Sequence, residues 1–499
     1  MFCPSRAVPA LFATFLAGCT VGPDYQAPTV EVMDEWESAV DAELSQETPD
    51  IELWWESFGD TVLTGLIREA ELGNLDLRIA VALVAESRAA RGIAKGDLYP
   101  NLILDGAYSH TKISEDSPVG QIIIGSGGTL EPIDQWRATG TTFWEIDLWG
   151  RIRRGVESAT AAFEADIENY RDVQVSLYAE VAANYTDIRA LQTRLDLANQ
   201  NADAQRESLG LTQDRFDAGL TSALDVAQAE QNLAQTESTI PQLEGQLNAA
   251  LNRIAVLMGR QPGALDERLE PRVGIADPDG EIVAGVPADI LRRRPDVRRA
   301  ERLLASQTAL IGVAKADLYP SFSISGFIES LSGSIGNLFT GESTGWGIVP
   351  GFRWDVFSGG KIQNNIKVQE ARTQQLLVGY QQTVLLALEE VESSLIFYQR
   401  EIVRRDRLRD AVDASQRAVD LVRTQYLSGL TNFQNLLDTQ RSLFQQDDLL
   451  AQSEGQVVLN LIFLNRALGG GWSLDDPVPD EVAAESDASG DANPQGGSN

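Results

Sequence analysis

The chain writes one 18-residue tract twice. GIAKGDLYPNLILDGAYS begins at Gly92 and GVAKADLYPSFSISGFIE begins at Gly312, a spacing of 220 residues. Each copy joins a helix-like run to an alternating run through Leu-Tyr-Pro, so one structural junction is used twice. Later pairs follow: WEIDLWGRI at Trp144 answers WDVFSGGKI at Trp354, and RFDAGLTSALDV at Arg215 answers QYLSGLTNFQNL at Gln425, both 210 residues apart. The spacing falls between Tyr108 and Trp144, so the first copy carries a longer loop there. Solenoid repeats have periods of roughly 20–50 residues. This is instead a duplicated half-protein, and its two halves make one architecture.

The alternating runs predict two strands in each half, about 101–112 with 135–148 and 320–330 with 345–357. Thr142, Trp144, Ile146 and Leu148 share one face of an extended chain, against Phe143, Glu145, Asp147 and Trp149. Trp346, Ile348, Pro350, Phe352, Trp354 and Val356 repeat the pattern against Gly347, Val349, Gly351, Arg353 and Asp355. A soluble amphipathic sheet would alternate in the same way. The continuous apolar face bearing Trp, opposite a face bearing charge, favours membrane strands with Trp144, Ile146, Trp354 and Val356 toward lipid. No segment supplies the ~20 consecutive apolar residues of a spanning helix. Four strands do not close a barrel, and an open edge in lipid leaves backbone groups unpaired, so membrane strands here demand an oligomer.

Between the strand pairs lie long helical patterns. Val156 to Leu209 contains neither Gly nor Pro, and apolar positions from Ile152 through Phe163, Leu177 and Ile188 to Ala198 recur about every 3.5 residues, the coiled-coil repeat. A matching pattern runs from Ile362 to Leu427. Each turns back at a tip where Gly219 or Gly429 suits the left-handed helix-ending position. Thr221 and Thr431 follow, with hydroxyls able to cap the returning helix. Residues 260–285 read as a small connector, residues 19–60 as an extended segment, and 471–499 as an acidic disordered tail. The basic stretch LRRRPDVRRAER reads as a solvated helix start with Pro295 near the first position.

Composition excludes several functions. A formal charge of −33 argues against a nucleic-acid partner. Two cysteines and one histidine, His110, leave no disulfide framework, no Cys/His metal site and no nucleophile–histidine triad. There is no Gly-rich phosphate loop, and no cofactor is implied; the chain does not read as an enzyme. The N-terminus carries Arg6, a short apolar run and Leu16-Ala17-Gly18-Cys19, a secretory signal over 1–18. Its end resembles the lipobox of bacterial lipoproteins, in which the Cys becomes the lipid-bearing mature terminus. Thr20, rather than Asp, after that Cys implies sorting to the outer membrane.

CTVGPDYQAP, WWESFGDTVLTGLIREAELGNLDLRIA, the two DLYP junctions, GVPADILRRRPDVRRAERLLA and LLDTQRSLF together resemble the outer membrane factor lipoproteins of tripartite efflux systems. These form the NodT branch of the TolC-like superfamily, and the resemblance covers the mature chain to about Gly470. It implies an α+β membrane protein forming a homotrimer: four β-strands per chain build a twelve-stranded outer-membrane β-barrel, continued by a long periplasmic α-helical barrel. The repeats fall at 61–285 and 286–470. The implied role is a passive duct for small molecules in a Gram-negative bacterium, working with a periplasmic adaptor (membrane fusion) protein and an inner-membrane pump, of RND type. The family's periplasmic gate maps by motif position onto Asp225, Tyr426, Asp438 and Arg441. The second tip has Thr431 and Asn432 where some relatives place a basic gating residue, which points to a hydrogen bond from Tyr426 or Asn432 in place of a salt bridge. Two other readings use the same observations: a TolC-like duct for type I protein secretion, and a lipid-anchored periplasmic coiled-coil scaffold without a pore.

Overall fold

The computed structural model describes residues 20–30, 32, 33, 36, 51–275 and 293–477. Cys19, most of the N-terminal segment before residue 51, the connector beyond residue 275 and the acidic tail beyond Pro477 lie outside them. The chain forms α1 (Thr61–Gly73), α2 (Leu75–Gly96), β1 (Asn101–Thr111), α3 (Pro118–Gly125), β2 (Ile133–Ile146), α4 (Arg151–Asp217), α5 (Ala223–Leu257) and α6 (Asp266–Leu269). The second half adds α7 (Pro295–Ala316), β3 (Ser321–Ser332), β4 (Thr344–Arg353), α8 (Lys361–Leu427) and α9 (Phe433–Ala467). The duplication is carried into the helices residue for residue. α4 and α8 each run 67 residues, α5 and α9 each 35, and α2 and α7 each 22. Among the described residues no helix is long and apolar enough to cross a membrane.

Two compact units emerge, and each takes a piece of both repeats. One comprises, among the described residues, 20–28, Glu86–Glu164 and Glu301–Val378; the other comprises Thr29–Ala85, Ala165–Ala300 and the residues from Gly379 on.

The first unit holds a four-stranded antiparallel sheet in the order β1-β2-β3-β4. Its register pairs Asn101 with Phe143, Phe143 with Ser325, and Ser325 with Val349, so odd-numbered residues share one face across all four strands. The even face presents Leu102, Leu104, Tyr108, Trp136, Trp144, Phe322, Ile324, Ile328, Trp346, Ile348 and Phe352. The odd face presents Asp105, Ser109, Arg137, Thr139, Glu145, Ser323, Ser325, Glu329 and Arg353. The alternation expected from sequence thus holds for most of the sheet, with Ile103, Phe143, Phe327 and Val349 among the apolar residues on the odd face and His110 and Asp134 among the polar ones on the even face. Strands of 10–14 residues are long enough for a tilted membrane strand, which needs ~9–11.

The strand ends differ from expectation. β2 stops at Ile146 and β4 at Arg353, so Asp147, Leu148, Trp354, Asp355 and Val356 lie past the ladder. Leu148 N donates to Ile146 O at 2.8 Å and Val356 N to Trp354 O at 3.0 Å, tight turns that carry the backbone out of the sheet. Asp147 then accepts from Arg153 N at 2.9 Å and acts on the start of α4 instead of continuing the strand.

The second unit is a helical core. Leu66 and Ile67 of α1, Val181 and Ile188 of α4, Ile254 of α5, Val384 and Leu395 of α8, and Ile462 of α9 are wholly buried in one cluster. Asp60 caps α1, accepting from Val62 N and Leu63 N at 2.8 and 3.1 Å, and also takes the Tyr185 hydroxyl at 2.5 Å. The basic stretch departs from expectation. Pro295 does open α7, but Arg294 beside it is buried, not solvated: it donates to Ala467 O at 2.7 Å and pairs with Asp296 and Glu390. Arg171 and Arg298 flank the Trp472 ring, 4.4 and 5.6 Å from its centroid, and both pair with buried Glu168. Charge is buried here because each cation has a carboxylate partner, and Arg294 a carbonyl as well.

Candidate functional site

Each strand–helix junction of the first unit is tied by a tryptophan. At the end of the first hairpin Trp144 Nε1 donates to Leu98 O at 3.0 Å, and at the end of the second Trp354 Nε1 donates to Leu318 O at 3.1 Å. Leu98 and Leu318 are the leucines of the two DLYP copies. The repeated tract is therefore repeated for a reason: it turns a helix into a strand and offers a carbonyl to the returning strand's indole. Between the halves, Trp149 stacks on Tyr319 at 4.7 Å and donates to Pro320 O at 2.9 Å.

A cavity of about 340 Å³ opens at this junction, lined by Glu145, Asp147, Arg151, Asp317, Arg353 and Asp355 among others. Arg151 grips Glu145 through two hydrogen bonds of 2.9 and 2.7 Å. Burial pushes the Asp317 carboxyl above its usual range; Arg151 opposes this, while Asp355 and Glu145 add to it.

The segment after Cys19 docks on the same unit. Val21 N donates to Trp149 O at 3.0 Å, Arg154 donates to Asp24 at 2.6 Å, and Tyr25 OH donates to Glu301 at 3.0 Å. Gly22 has φ of 100°, and a Cβ there would sit 2.4 Å from the Gly312 Cα. Only glycine fits that crossing, which accounts for the glycine of VGPDY. Thr20 packs against Gly150, between the end of β2 and the start of α4.

In the second unit the helix-hairpin tips place the remaining site residues. Gly219 and Gly429 adopt the left-handed conformation, with φ of 73° and 71°. Thr221 and Thr431 do not cap the returning helices. Ser222 and Asn432, one residue later, hold the N-cap positions and accept from Asp225 N and Asn435 N at 3.4 and 3.1 Å. Thr221 donates its hydroxyl to Asp225, and Thr431 Oγ1 accepts from Asn435 Nδ2 at 2.8 Å. Asp225 completes a capping box by accepting from Ser222 N. The Thr221 hydroxyl, then the Ser222 groups, hold its carboxyl below the usual range against an opposing effect of burial.

Tyr426 is 3% exposed and packs with Phe433, Leu436, Leu437 and Ala229 in a small cluster joining the two hairpins. The Arg215 guanidinium lies 4.7 Å from its ring centroid, and Nη1 donates to Tyr426 O at 3.4 Å. The Tyr426 hydroxyl is buried and has no hydrogen-bond partner among the described residues. Asp438 accepts from Gln434 Nε2 at 2.9 Å, while Arg441 Nε donates at 2.7 Å to the buried Asn232 of α5. The four residues mapped by motif are thus near the tips but not partners of one another. Tyr426 and Arg441 bridge the hairpins, while Asp225 and Asp438 bond within their own. Among the described residues no group of three or more His, Cys, Asp or Glu could hold a metal ion.

A model of the family described as outer membrane efflux protein matches residues 66–260 and 286–470, one match per repeat. The chain belongs to that family. The chain is 30% identical over 474 residues to nodulation protein T of Rhizobium leguminosarum bv. trifolii, covering 94% of this chain and 98% of that protein. It is 31% identical over 467 residues to the antibiotic efflux pump outer membrane protein ArpC of Pseudomonas putida, covering 93% and 95%. Among solved structures, the outer-membrane channel OprN is 34% identical with a TM-score of 0.83, covering 91% of this chain and 100% of that one. This efflux protein is therefore an outer-membrane transport component of the NodT branch, not a member of an enzyme family.

Several residues of the site escape sequence reasoning. Arg215 opens a quoted repeat motif, yet its partner lies 211 residues on. Asn232 is an unremarkable polar residue in a helix. The Trp144 and Trp354 bonds were within reach, because tryptophan and DLYP both recur at matching positions.

Proposed function

We propose that this efflux protein is the outer-membrane exit duct of a tripartite efflux system of RND type, conducting small molecules passively from the periplasm-spanning complex to the exterior. Three copies close a twelve-stranded barrel in the outer membrane, and the long helices of the same three copies line the periplasmic duct. A periplasmic adaptor and an inner-membrane pump complete the system. The observation that carries this reading is the sheet: large apolar side chains dominate one face, the strand charges other than Asp134 and His110 lie on the other, and both edges, β1 and β4, are unpaired among the described residues. In lipid such edges must be closed by further copies. Cys19 carries lipid and begins the mature chain; the docking of Thr20 and Val21 where β2 meets α4 supports an anchor at the membrane boundary. The tips gate the duct, with Tyr426, Arg441, Asp225 and Asp438 as the residues nearest the closure.

Purified full-length protein reconstituted in planar bilayers tests the duct. Discrete ion-conducting channels of a trimeric species are expected; a lipid-anchored scaffold would bind membranes and conduct nothing, and that outcome ends the proposal. Mass spectrometry of the mature N-terminus tests the anchor independently, with diacylglycerol-modified Cys19 expected.

A further inference from the structure

We infer that β4 of one copy pairs with β1 of the next in a single register that sets Arg353 directly opposite Asp105, an ion pair that exists only between copies. The inference rests on the duct reading above, since it needs neighbouring copies, but the register comes from the chain's own internal repeat.

Within the chain, β2 of the first repeat pairs with β3 of the second, and this is the one place where the two repeats meet strand to strand in the sheet. Its register sets Phe143 opposite Ser325, Trp144 opposite Ile324 and Glu145 opposite Ser323. The sequence repeat carries β2 onto β4 by 210 residues (Trp144 to Trp354) and β3 onto β1 by 220 (Gly312 to Gly92). Closing a ring of such repeats makes the junction between copies the equivalent of the β2–β3 junction. Transferring the register sets Arg353, the last residue of β4, opposite Asp105 of the next copy and Phe352 opposite Gly106.

Nothing in that transfer used charge, yet it brings an arginine to an aspartate. Both residues are odd-numbered and so lie on the polar face of their strands, where a cross-strand ion pair belongs. Asp105 is exposed and has no ion-pair partner among the described residues. Arg353 is 81% exposed and among the described residues pairs only with Asp355, at 3.4 Å, itself more than half exposed. On the apolar face the same register sets Phe352 against a glycine, as Thr142 faces Gly326 within the chain. A register shifted by one residue would turn the Arg353 face toward the apolar face of β1. A shift of two would set Arg353 against Ile103 or Ala107.

The experiment uses the full chain in its own outer membrane, with Asp105→Cys and Arg353→Cys combined. Directly opposed residues of an antiparallel pair have Cα atoms ~4.5–5.5 Å apart, within disulfide range, whereas the diagonal pairs lie beyond it. Mild oxidation is expected to convert most chains to covalent dimers and trimers on non-reducing gels, with either single variant at background. Arg353→Cys with Ile103→Cys, or with Ala107→Cys, is expected to link several-fold less. A charge exchange, Asp105→Arg with Arg353→Asp, is expected to restore the heat-resistant trimer that either substitution alone weakens. If a shifted cysteine pair links best, or the exchange fails to restore what the single changes lose, the register is wrong while a conducting trimer leaves the duct standing. If the parent chain yields no trimer with an amine-reactive cross-linker, the duct reading itself falls, and this inference with it.

Discussion

The Tyr426 ring, rather than its hydroxyl, is expected to hold the two hairpins together at the tip. A hydrogen-bonded gate would make Tyr426→Phe an opening substitution. The hydroxyl, however, is buried inside one chain and has no partner among the described residues, so no neighbouring copy can reach it. Removing a buried hydroxyl that makes no bond costs nothing and relieves a desolvation penalty. The ring carries the contacts: the Arg215 guanidinium at 4.7 Å and the Phe433 ring at 5.7 Å. A cation–π contact contributes about 0.5–2 kcal/mol depending on its desolvation. Arg215→Met should therefore shift the closed–open balance about 2- to 30-fold toward open, since ~1.4 kcal/mol is tenfold. Tyr426→Ala, which empties a buried aromatic site, should cost about 3–5 kcal/mol locally and open the tip further. The assay is single-channel recording of the trimers, comparing open probability in the order parent, Tyr426→Phe, Arg215→Met, Tyr426→Ala. Tyr426→Phe opening as strongly as Tyr426→Ala would refute the argument, because the hydroxyl would then be the latch. Unchanged gating in Arg215→Met would remove the cation from it.

Three further expectations follow from particular contacts. Asp225→Ala removes half of a capping box and should cost about 0.5–2 kcal/mol, read by thermal unfolding or proteolysis at the tip. Because the folded state lowers the Asp225 pKa, its contribution is present above the unfolded value of about 3.9 and is lost as pH falls through the lower folded value; the parent and Asp225→Ala should therefore converge in stability only as pH falls below about 3.9. Ile348→Arg, at mid-strand on the apolar face, should cost about 2–4 kcal/mol, whereas Ile146→Arg, at the last ladder position of β2, should cost only about 0–1 kcal/mol; folding yield into lipid vesicles measures the difference. Trp354→Phe keeps a ring but loses the bond to Leu318 O, and should lower stability by about 0.5–1.5 kcal/mol in a denaturant titration of the folded barrel.

What the sequence determined by itself is the part of this protein that depends on short-range periodicity. Alternation with period two decided which face each strand residue takes, and the register of all four strands kept that parity. The long stretch without Gly or Pro decided a continuous helix through Gly210, and its heptad spacing marked buried positions such as Phe163, Leu177, Ile188 and Ala198. The repeat decided that α4 and α8, and α5 and α9, would have equal lengths. Tertiary structure decided the partners. Ser222 and Asn432 displace Thr221 and Thr431 as caps because the tip winds one residue further before the next helix begins, which no propensity distinguishes among four polar residues. Arg441 finds Asn232, 209 residues away, rather than Asp438 a turn away on its own helix, because packing α9 on α5 brings that amide within 2.7 Å. Arg294 lies in a stretch as basic as any solvated helix start, yet it is buried because Ala467 O and Glu390, 173 and 96 residues away, converge on it beside its near neighbour Asp296. A period is written in neighbouring residues; a buried pairing is set by which distant surfaces the folded chain brings together.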